Sequence, residues 1–440
     1  MPTVPECIRI FCVRLSLICI FLIFCHALLF AQTTITGRVV NHNDKKPIAN
    51  ASIFLSNTTI GNESAKDGNF ILKGIKSGKY QIIVSVVGFK TYNENIVAND
   101  NPIDLHDIEL VPEVKTLKEV SIRYKADPDR ELYLKLFKDQ FIGTSELASD
   151  CVLINPEVLD LDYDKSKYTL TASSYDFLKI ENKDLGYRLK YLVKDFSYCA
   201  NPTLKRPLHY QGFVLFEEMK GTAGQERRWK RNRQNAYEGS EMHFFRSVVS
   251  NRLNEEGFRV LQWAIYQNPE RPPDSIINSK IKSFTKLKNT DSKKYNDSLK
   301  FWEKKKDLKK VLETLMDYPL SEEEIVKLTD QKDMYALGCD MDNLHITYNK
   351  DLHFSKKGLI YHLDEASNRE SSVISFSKPY AFFDNNGIVL NINSISLSGV
   401  WARNRVAELL PYDYEPEVSS VAVGQAGTLQ TPSKAFNPAN

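Results

Sequence analysis

Ile35-Thr36-Gly37-Arg38-Val39 and Asp67-Gly68-Asn69-Phe70 are the two stretches whose reading decides the fold. The first belongs to an alternating apolar run, Ile35 to Val40, that ends in a polar turn over Asn41 to Lys46 closed by Pro47. The second predicts a tight reversal. Asp accepts local backbone hydrogen bonds and Gly takes a positive φ, so the chain turns back into Phe70-Ile71-Leu72. Around these lie the apolar run Ala51 to Leu55, a polar, turn-rich ascent from Thr59 to Lys66, a reversal at Gly78-Lys79-Tyr80, a strand from Gln81 to Val87 and a closing strand at Ile108 to Leu110. Short strands at turn-punctuated spacing from Thr33 to Val111 predict a β-sandwich, not a helical or α/β unit.

Upstream, Arg9 and Arg14 precede an apolar stretch from Leu15 to Phe30, followed by Ala31 and Gln32. That charged, apolar, small-residue order is the order of a secretory signal, read here as residues 1–31. Cleavage after Ala31 is the first expectation. A cut after Ala27 is the alternative, and an uncleaved anchor is a third reading, because the stretch is only a little shorter than the roughly 20 residues that span a bilayer. Of seven cysteines, Cys151, Cys199 and Cys339 follow the leader. Three cysteines allow at most one disulfide, and none has a paired metal-binding spacing, so buried thiols are the expectation.

The formal net charge is +2 over 440 residues. Near-balance provides no global field to recruit nucleic acid or an anionic surface. The length beyond the leader suits two or three domains, and the 11% aromatic content favours β-rich structure.

After the sandwich (32–112) and a linker (113–128), a larger domain is expected over 129–416. It opens with a helix from Asp129 to Phe141 that places Leu132, Tyr133, Leu136, Phe137 and Phe141 on one face. Strands are expected at Val152 to Ile154, Tyr168 to Ala172, Phe177 to Ile180, Tyr187 to Phe196 and Phe213 to Phe216. Asp160 to Asp164 reads as a solvated loop, with a hard-cation site as its alternative. The basic segment Arg227 to Arg233 reads as the solvated start of a helix that runs on through Tyr237 to Val249, with binding of an anionic glycan or lipid as the alternative. A further helix is marked by Leu299, Phe301, Trp302, Leu308, Val311, Leu312 and Leu315, and Ser321 with Glu324 has the spacing of a capping box for a third, short helix through Leu328. Strands then return at Leu344 to Tyr348, Leu359 to Leu363, Val373 to Phe376 and Ile388 to Leu397. The fold class expected is mainly β with α+β: a transthyretin-like β-sandwich, then a mostly antiparallel sheet with flanking helices. Composition predicts a disordered tail over 417–440.

Thr36-Gly37-Arg38-Val39, Pro47-Ile48, Asn50-Ala51, Asp67-Gly68-Asn69-Phe70, Gly78-Lys79-Tyr80 and Ser85-Val86-Val87-Gly88-Phe89 resemble, as a set, the carboxypeptidase-regulatory-like domain. The resemblance implies a transthyretin-like (prealbumin-like) sandwich of the kind abundant in envelope proteins of Bacteroidetes. In that family the module precedes the plug of outer-membrane nutrient transporters, or follows the catalytic domain of zinc carboxypeptidases, and does not itself hold the active site. Leu117-Lys118-Glu119-Val120 is similar to a segment near the energy-coupling box of such transporters, but too few residues lie beyond it for the large barrel, and a linker or edge strand is expected. Ile180 to Tyr187, Asn232 to Phe244 and Trp401 to Tyr412 resemble the C-terminal region of Bacteroidetes proteins known only for this regulatory domain, a likeness that implies no reaction.

His106-Asp107-Ile108-Glu109 and His362-Leu363-Asp364-Glu365 match the HxxE spacing of a zinc carboxypeptidase. Both read as chance matches, because no alternation of strands and crossover helices supplies the domain that would hold a third ligand and a base. HExxH, GxSxG and GxxxxGK motifs do not occur. No catalytic residue, metal or cofactor is therefore expected. Arg233, Tyr237, Ser240 and His243 recur on a helical face and form the candidate ligand patch; a buried hydrogen-bond network joining helix to sheet is the competing reading. The function expected is that of a non-catalytic exported envelope protein that binds a protein or glycan partner and not nucleic acid, in the periplasm or associated with the outer membrane or cell surface. An unrecognised hydrolase acting on peptide or glycan is the alternative.

Overall fold

The computed structural model describes residues 33–99, 101–113, 128–201, 208–287, 292–331, 333–338, 343–349 and 371–417. The leader, the Leu117 to Val120 segment, Cys339, the second HxxE match, the strand expected at Leu359 to Leu363 and the tail beyond residue 417 lie outside them. The chain forms two compact units, Met1–Asn232 with Val406–Glu415 and Arg233–Arg405 with Pro416–Asn440. The region 129–416 thus contributes to both.

In the first unit, the opening strands are β1 (Thr33–Asn41), β2 (Ser52–Leu55), β3 (Gly61–Glu63), β4 (Asn69–Ile75), β5 (Gly78–Ser85), β6 (Tyr92–Ala98) and β7 (Ile103–Leu110). They make two sheets, β4-β1-β7 and β3-β2-β5-β6, with β1 parallel to β7 and the other pairs antiparallel. Alternation drives this: Ile35, Val39, Ile53, Leu55, Phe70, Leu72, Ile82 and Val84 all point into one core. The Asp67-Gly68 reversal is built as expected. Gly68 has φ +82°, and a Cβ there would meet the Val39 carbonyl oxygen at 2.5 Å. The Asp67 carboxylate accepts from the Asn69 backbone at 3.1 Å and side chain at 2.7 Å, which holds it below the usual carboxylate range. The Thr59 to Lys66 ascent contains β3, and β6 carries little sequence signal because only Ile96 and Ala98 of its seven residues turn inward.

The same unit continues with α1 (Arg130–Phe141), α2 (Glu146–Ser149) and strands β8 (Cys151–Leu153), β9 (Leu159–Asp164), β10 (Thr169–Ser174), β11 (Leu178–Asn182), β12 (Tyr187–Cys199) and β13 (His209–Glu218). These strands form one antiparallel sheet, β8-β11-β12-β10-β9, with β13 also paired to β12. Helix α1 lays Tyr133 on Tyr163, Phe137 on Phe196 and Phe141 on Tyr191, with ring centroids 5.1, 4.9 and 4.9 Å apart. Leu132 does not share that face and is exposed. The sandwich packs on this sheet through Phe54 and Ile83 against Phe177, Leu192, Phe213 and Leu215.

Asp160 to Asp164 is not a loop but most of β9, paired residue by residue with β10 from Leu159↔Ser174 to Asp164↔Thr169. Its acidic residues mask an edge strand whose inward positions are sparse. Asp164 instead caps the turn to β10, accepting from the Ser166 and Lys167 backbones at 2.9 and 3.1 Å, and its hydrogen bonds with Lys167 and Ser166 hold its carboxyl well down. Cys151 and Cys199 are free and buried. Cys151 registers beside the start of β12 through Asn182, while Cys199 ends that strand. At about 3.3 Å per residue the two thiols stand too far apart to bridge. Burial pushes the Cys151 thiol up to about 12.

The helix α3 (Ala223–Tyr237) contains the boundary between the units. The second unit contains α4 (Glu241–Val249), β14 (Phe258–Gln267), α5 (Asp274–Leu287), α6 (Ser292–Asp307), β15 (Val311–Pro319), α7 (Glu322–Ile325), β16 (Val326–Leu328), β17 (Met334–Leu337), β18 (Asn343–Tyr348), β19 (Ser371–Phe376), β20 (Ala381–Asp384) and β21 (Ile395–Gly399). An antiparallel sheet, β15-β14-β18-β19-β21, and a smaller one, β16-β17-β20, enclose a core with Phe244, Phe245, Phe258, Leu344, Ile374 and Phe383. The capping box at Ser321 and Glu324 is present. Three expectations change. The short helix expected through Leu328 ends at Ile325, because Val326–Leu328 pair with β17 as β16. Val311, Leu312 and Leu315 lie on β15, not on a helix, because pairing with β14 overrides their helical spacing. The segment after Asp384 becomes regular strand only from Ile395, following a short 3₁₀ turn. Among the described residues no helix is long and apolar enough to cross a membrane.

Candidate functional site

The expected patch falls at the junction of α3 and α4. A single helix does not run through it: Gly239 adopts φ +73°, and Ser240 restarts the chain as the N-cap of α4, its hydroxyl accepting from the His243 backbone at 3.1 Å. Gly239 is required there, since a Cβ would sit 2.5 Å from the Tyr348 ring. Tyr237 and His243 are brought together, ring centroids 4.7 Å apart, and both are buried. Arg233 lies one helical turn before Tyr237 and is half-buried. Burial raises the Tyr237 phenol above its ordinary value, while the Arg246 guanidinium, 5.6 Å over the ring, opposes the rise.

Both ring nitrogens of His243 are engaged. Nδ1 accepts the Gly239 N–H at 3.1 Å, which assigns the ring proton to Nε2, 3.4 Å from a Glu256 carboxylate oxygen. Phe258 and Tyr348 close on the ring at 4.8 and 5.6 Å. Arg252 completes the chain of charges, 3.2 Å from the other Glu256 oxygen. A His so placed orders the α3–α4 junction; accepting a substrate proton or binding a metal would break one of these bonds.

The Glu256 carboxyl is held below its ordinary value by the His243 hydrogen bond first and by Arg252 as well, against the opposing effect of burial. A carboxyl with a depressed folded pKa stabilises the protein above its unfolded value near 4.3 and loses that contribution as pH falls through the folded value. Glu256→Gln is therefore expected to cost about 1–2 kcal/mol at neutral pH. The difference should close in denaturant titrations below about pH 4; a pH-independent difference would contradict the assignment.

The basic segment before this junction also folds inward, through Trp229. Its indole N–H donates to the Lys183 carbonyl at 2.7 Å, and Arg228 and Asn232 bind the same turn through the Lys183 and Asp184 carbonyls. In the first HxxE match, His106 is exposed at φ +53°, while Glu109 pairs with His42 at 2.7 Å and Lys45 at 2.5 Å. Among the described residues no His, Cys, Asp and Glu group could hold a metal ion.

A second site has no motif to announce it. The edge strands of the two sandwich sheets, β3 and β4, flank an open cleft of about 930 Å³. Asn62 and Ile71 line it, and the Asn62 amide donates to the Ile71 carbonyl at 3.0 Å, so a strand edge of β4 faces the cleft. Ile71 is 46% exposed. Asp413, distant in sequence, closes one end by accepting from the Thr59 backbone at 2.9 Å and from its hydroxyl. The cleft offers amide and carboxylate side chains beside an exposed apolar one, which suits an extended chain with alternating polar groups.

With the geometry in place, comparison with known proteins agrees on the N-terminal module. A family model described as CarboxypepD_reg-like domain matches residues 35–122, a span that takes in nearly all of β1 to β7. The sandwich is a CarboxypepD_reg-like β-sandwich. No curated protein matches the chain. Among solved structures, a type II cohesin–X-dockerin complex from Acetivibrio cellulolyticus is 17% identical over 18% of this chain and 56% of that one, with a TM-score of 0.16. The group B streptococcus pilus 2b backbone protein is 13% identical over 19% of this chain and 42% of that one, at 0.17. A DUF3823 family protein from Parabacteroides merdae is 10% identical over 45% and 85%, at 0.15. The chain thus spans about half the length of the first two, and scores this low carry no inference about function.

Proposed function

We propose that the protein is a non-catalytic, exported cell-envelope binding module whose sandwich cleft receives an extended segment of a partner protein, with a glycan strand as the other ligand of suitable shape. The observation that carries the proposal is the cleft between β3 and β4, where exposed Ile71 stands among the polar side chains of Asn62, Asn69 and Asp413. An extended segment seated there would draw specificity from its alternate side chains. The engaged nitrogens of His243 support a packing role for the expected patch, and the leader-like N-terminal sequence supports export to the periplasm or outer membrane.

The test is crosslinking in intact cells followed by envelope fractionation and recovery of the tagged protein. One partner should be recovered from the envelope fraction by the natural protein and lost with Asn62→Ala plus Ile71→Asp, which alter only exposed side chains. Retention of the partner by that variant at unchanged thermal stability would refute the cleft, and recovery from the cytosolic fraction would refute export.

A further inference from the structure

The segment between β14 and β15 departs from the charge balance of the rest. Over the described residues 271–287 and 292–310 it holds twelve Lys and Arg against four Asp and Glu, an excess of eight, although the whole chain is only +2. The remainder is therefore net acidic. We propose that this α5–α6 helical hairpin is a docking arm for an anionic lipid bilayer.

Its base is locked. Arg271 donates to the Leu308 carbonyl at 2.8 Å and pairs with Asp274 at 2.7 Å, Lys305 donates to the Glu270 carbonyl at 2.8 Å, and the Asn268 amide donates to the Lys309 carbonyl at 2.9 Å. Ile277 is fully buried. Beyond this base the charge is uncompensated. Among the described residues Lys280, Lys282, Lys286, Lys300, Lys304 and Lys306 have no ion pair and are exposed, so their positive potential is available to a partner.

Apolar side chains stand among these lysines. Lys300, Phe301 and Lys304 share one face of α6 by helical spacing, and Phe301 is 53% exposed. On α5, Ile276 is 46% exposed one turn before Lys280. Exposed aromatic and aliphatic side chains ringed by long-stemmed lysines suit a membrane interface: the apolar groups enter the acyl boundary while the ammonium groups reach the headgroup phosphates. A phosphodiester or sulfated polymer would satisfy the lysines but give aliphatic Ile276 nothing to enter.

The test measures sedimentation of the full chain with vesicles of phosphatidylcholine alone and of phosphatidylcholine with one third phosphatidylglycerol. The leader-like segment, with Arg9 and Arg14, is common to every variant, so the loss on changing the arm's own residues isolates the arm. Partitioning onto anionic vesicles is expected to be at least about tenfold stronger and to fall as salt rises. Lys300→Gln, Lys304→Gln and Lys306→Gln together should reduce it about a hundredfold, at roughly fivefold per lysine. Phe301→Ser should reduce it several-fold without altering the salt dependence. Matched circular dichroism identifies folded variants, and both sets change exposed positions only. Equal partitioning onto neutral vesicles, an undiminished triple variant, or tight binding to heparin without vesicle binding would each overturn the proposal.

Discussion

Trp401→Ala is expected to destabilise the second unit by about 3–5 kcal/mol, near the upper end for core truncations. The indole is buried in one core with Phe244, Phe258 and Leu344, and its ring lies 5.4 Å from Phe244. Its N–H donates to the Gly239 carbonyl at 2.8 Å, at the positive-φ residue that turns α3 into α4. Truncation thus opens a cavity and also leaves a carbonyl without its donor. Trp401→Phe should recover part of the loss by filling volume without restoring the hydrogen bond. Hydrogen exchange of the α4 amides is the measurement, since the two compact units need not unfold together. Unchanged protection in Trp401→Ala would show that the junction is held elsewhere.

Gly186→Ala should cost about 2–5 kcal/mol through two separable effects. Gly186 adopts φ +68°, and a Cβ there would lie 2.2 Å from the Trp229 ring. Trp229 cannot retreat freely, because its N–H is bonded to the Lys183 carbonyl of the same turn. Gly88→Ala is the control: its φ is +90°, but nothing lies within 4 Å of the added Cβ. Only the backbone cost of about 1–2 kcal/mol should appear there. Comparing urea midpoints of the two variants separates strain from collision, and equal shifts would remove the Trp229 contact from the account.

The residues legible in the sequence are those whose roles are local. Asp67 and Gly68 announce their turn because a carboxylate two residues before an amide and a glycine at positive φ suffice to make it. Ser321 and Glu324 announce a cap for the same reason. Tyr133, Phe137 and Phe141 fall at helical spacing and are buried, yet Leu132, adjacent to that stripe, is exposed. Helical spacing places a residue near a face but does not say where the face ends.

Residues whose conformation depends on distant partners are not legible in the same way. Val311 to Leu315 continue the apolar spacing of a helix, but β14 lies beside them and takes them as a strand. Leu159 to Asp164 is too acidic to suggest a strand, and ladder bonds to β10 make it one. Tyr237, Ser240 and His243 come together at the α3–α4 junction, but Glu256 and Tyr348, which close on His243, come from elsewhere in the chain.

By itself, the sequence determined the sandwich, the antiparallel character of the sheets beyond it, the leader-like start and the concentration of lysine between residues 280 and 310. These depend on period, turn chemistry and charge, which act over a few residues. Tertiary structure alone decided that His243 has both nitrogens engaged, that Trp229 seals a hairpin turn, and that β3 and β4 flank a cleft closed at one end by Asp413. These contacts join residues from 4 and 13 positions apart at His243 to 46 at Trp229 and 354 at Asp413, and no local pattern encodes which partners will meet.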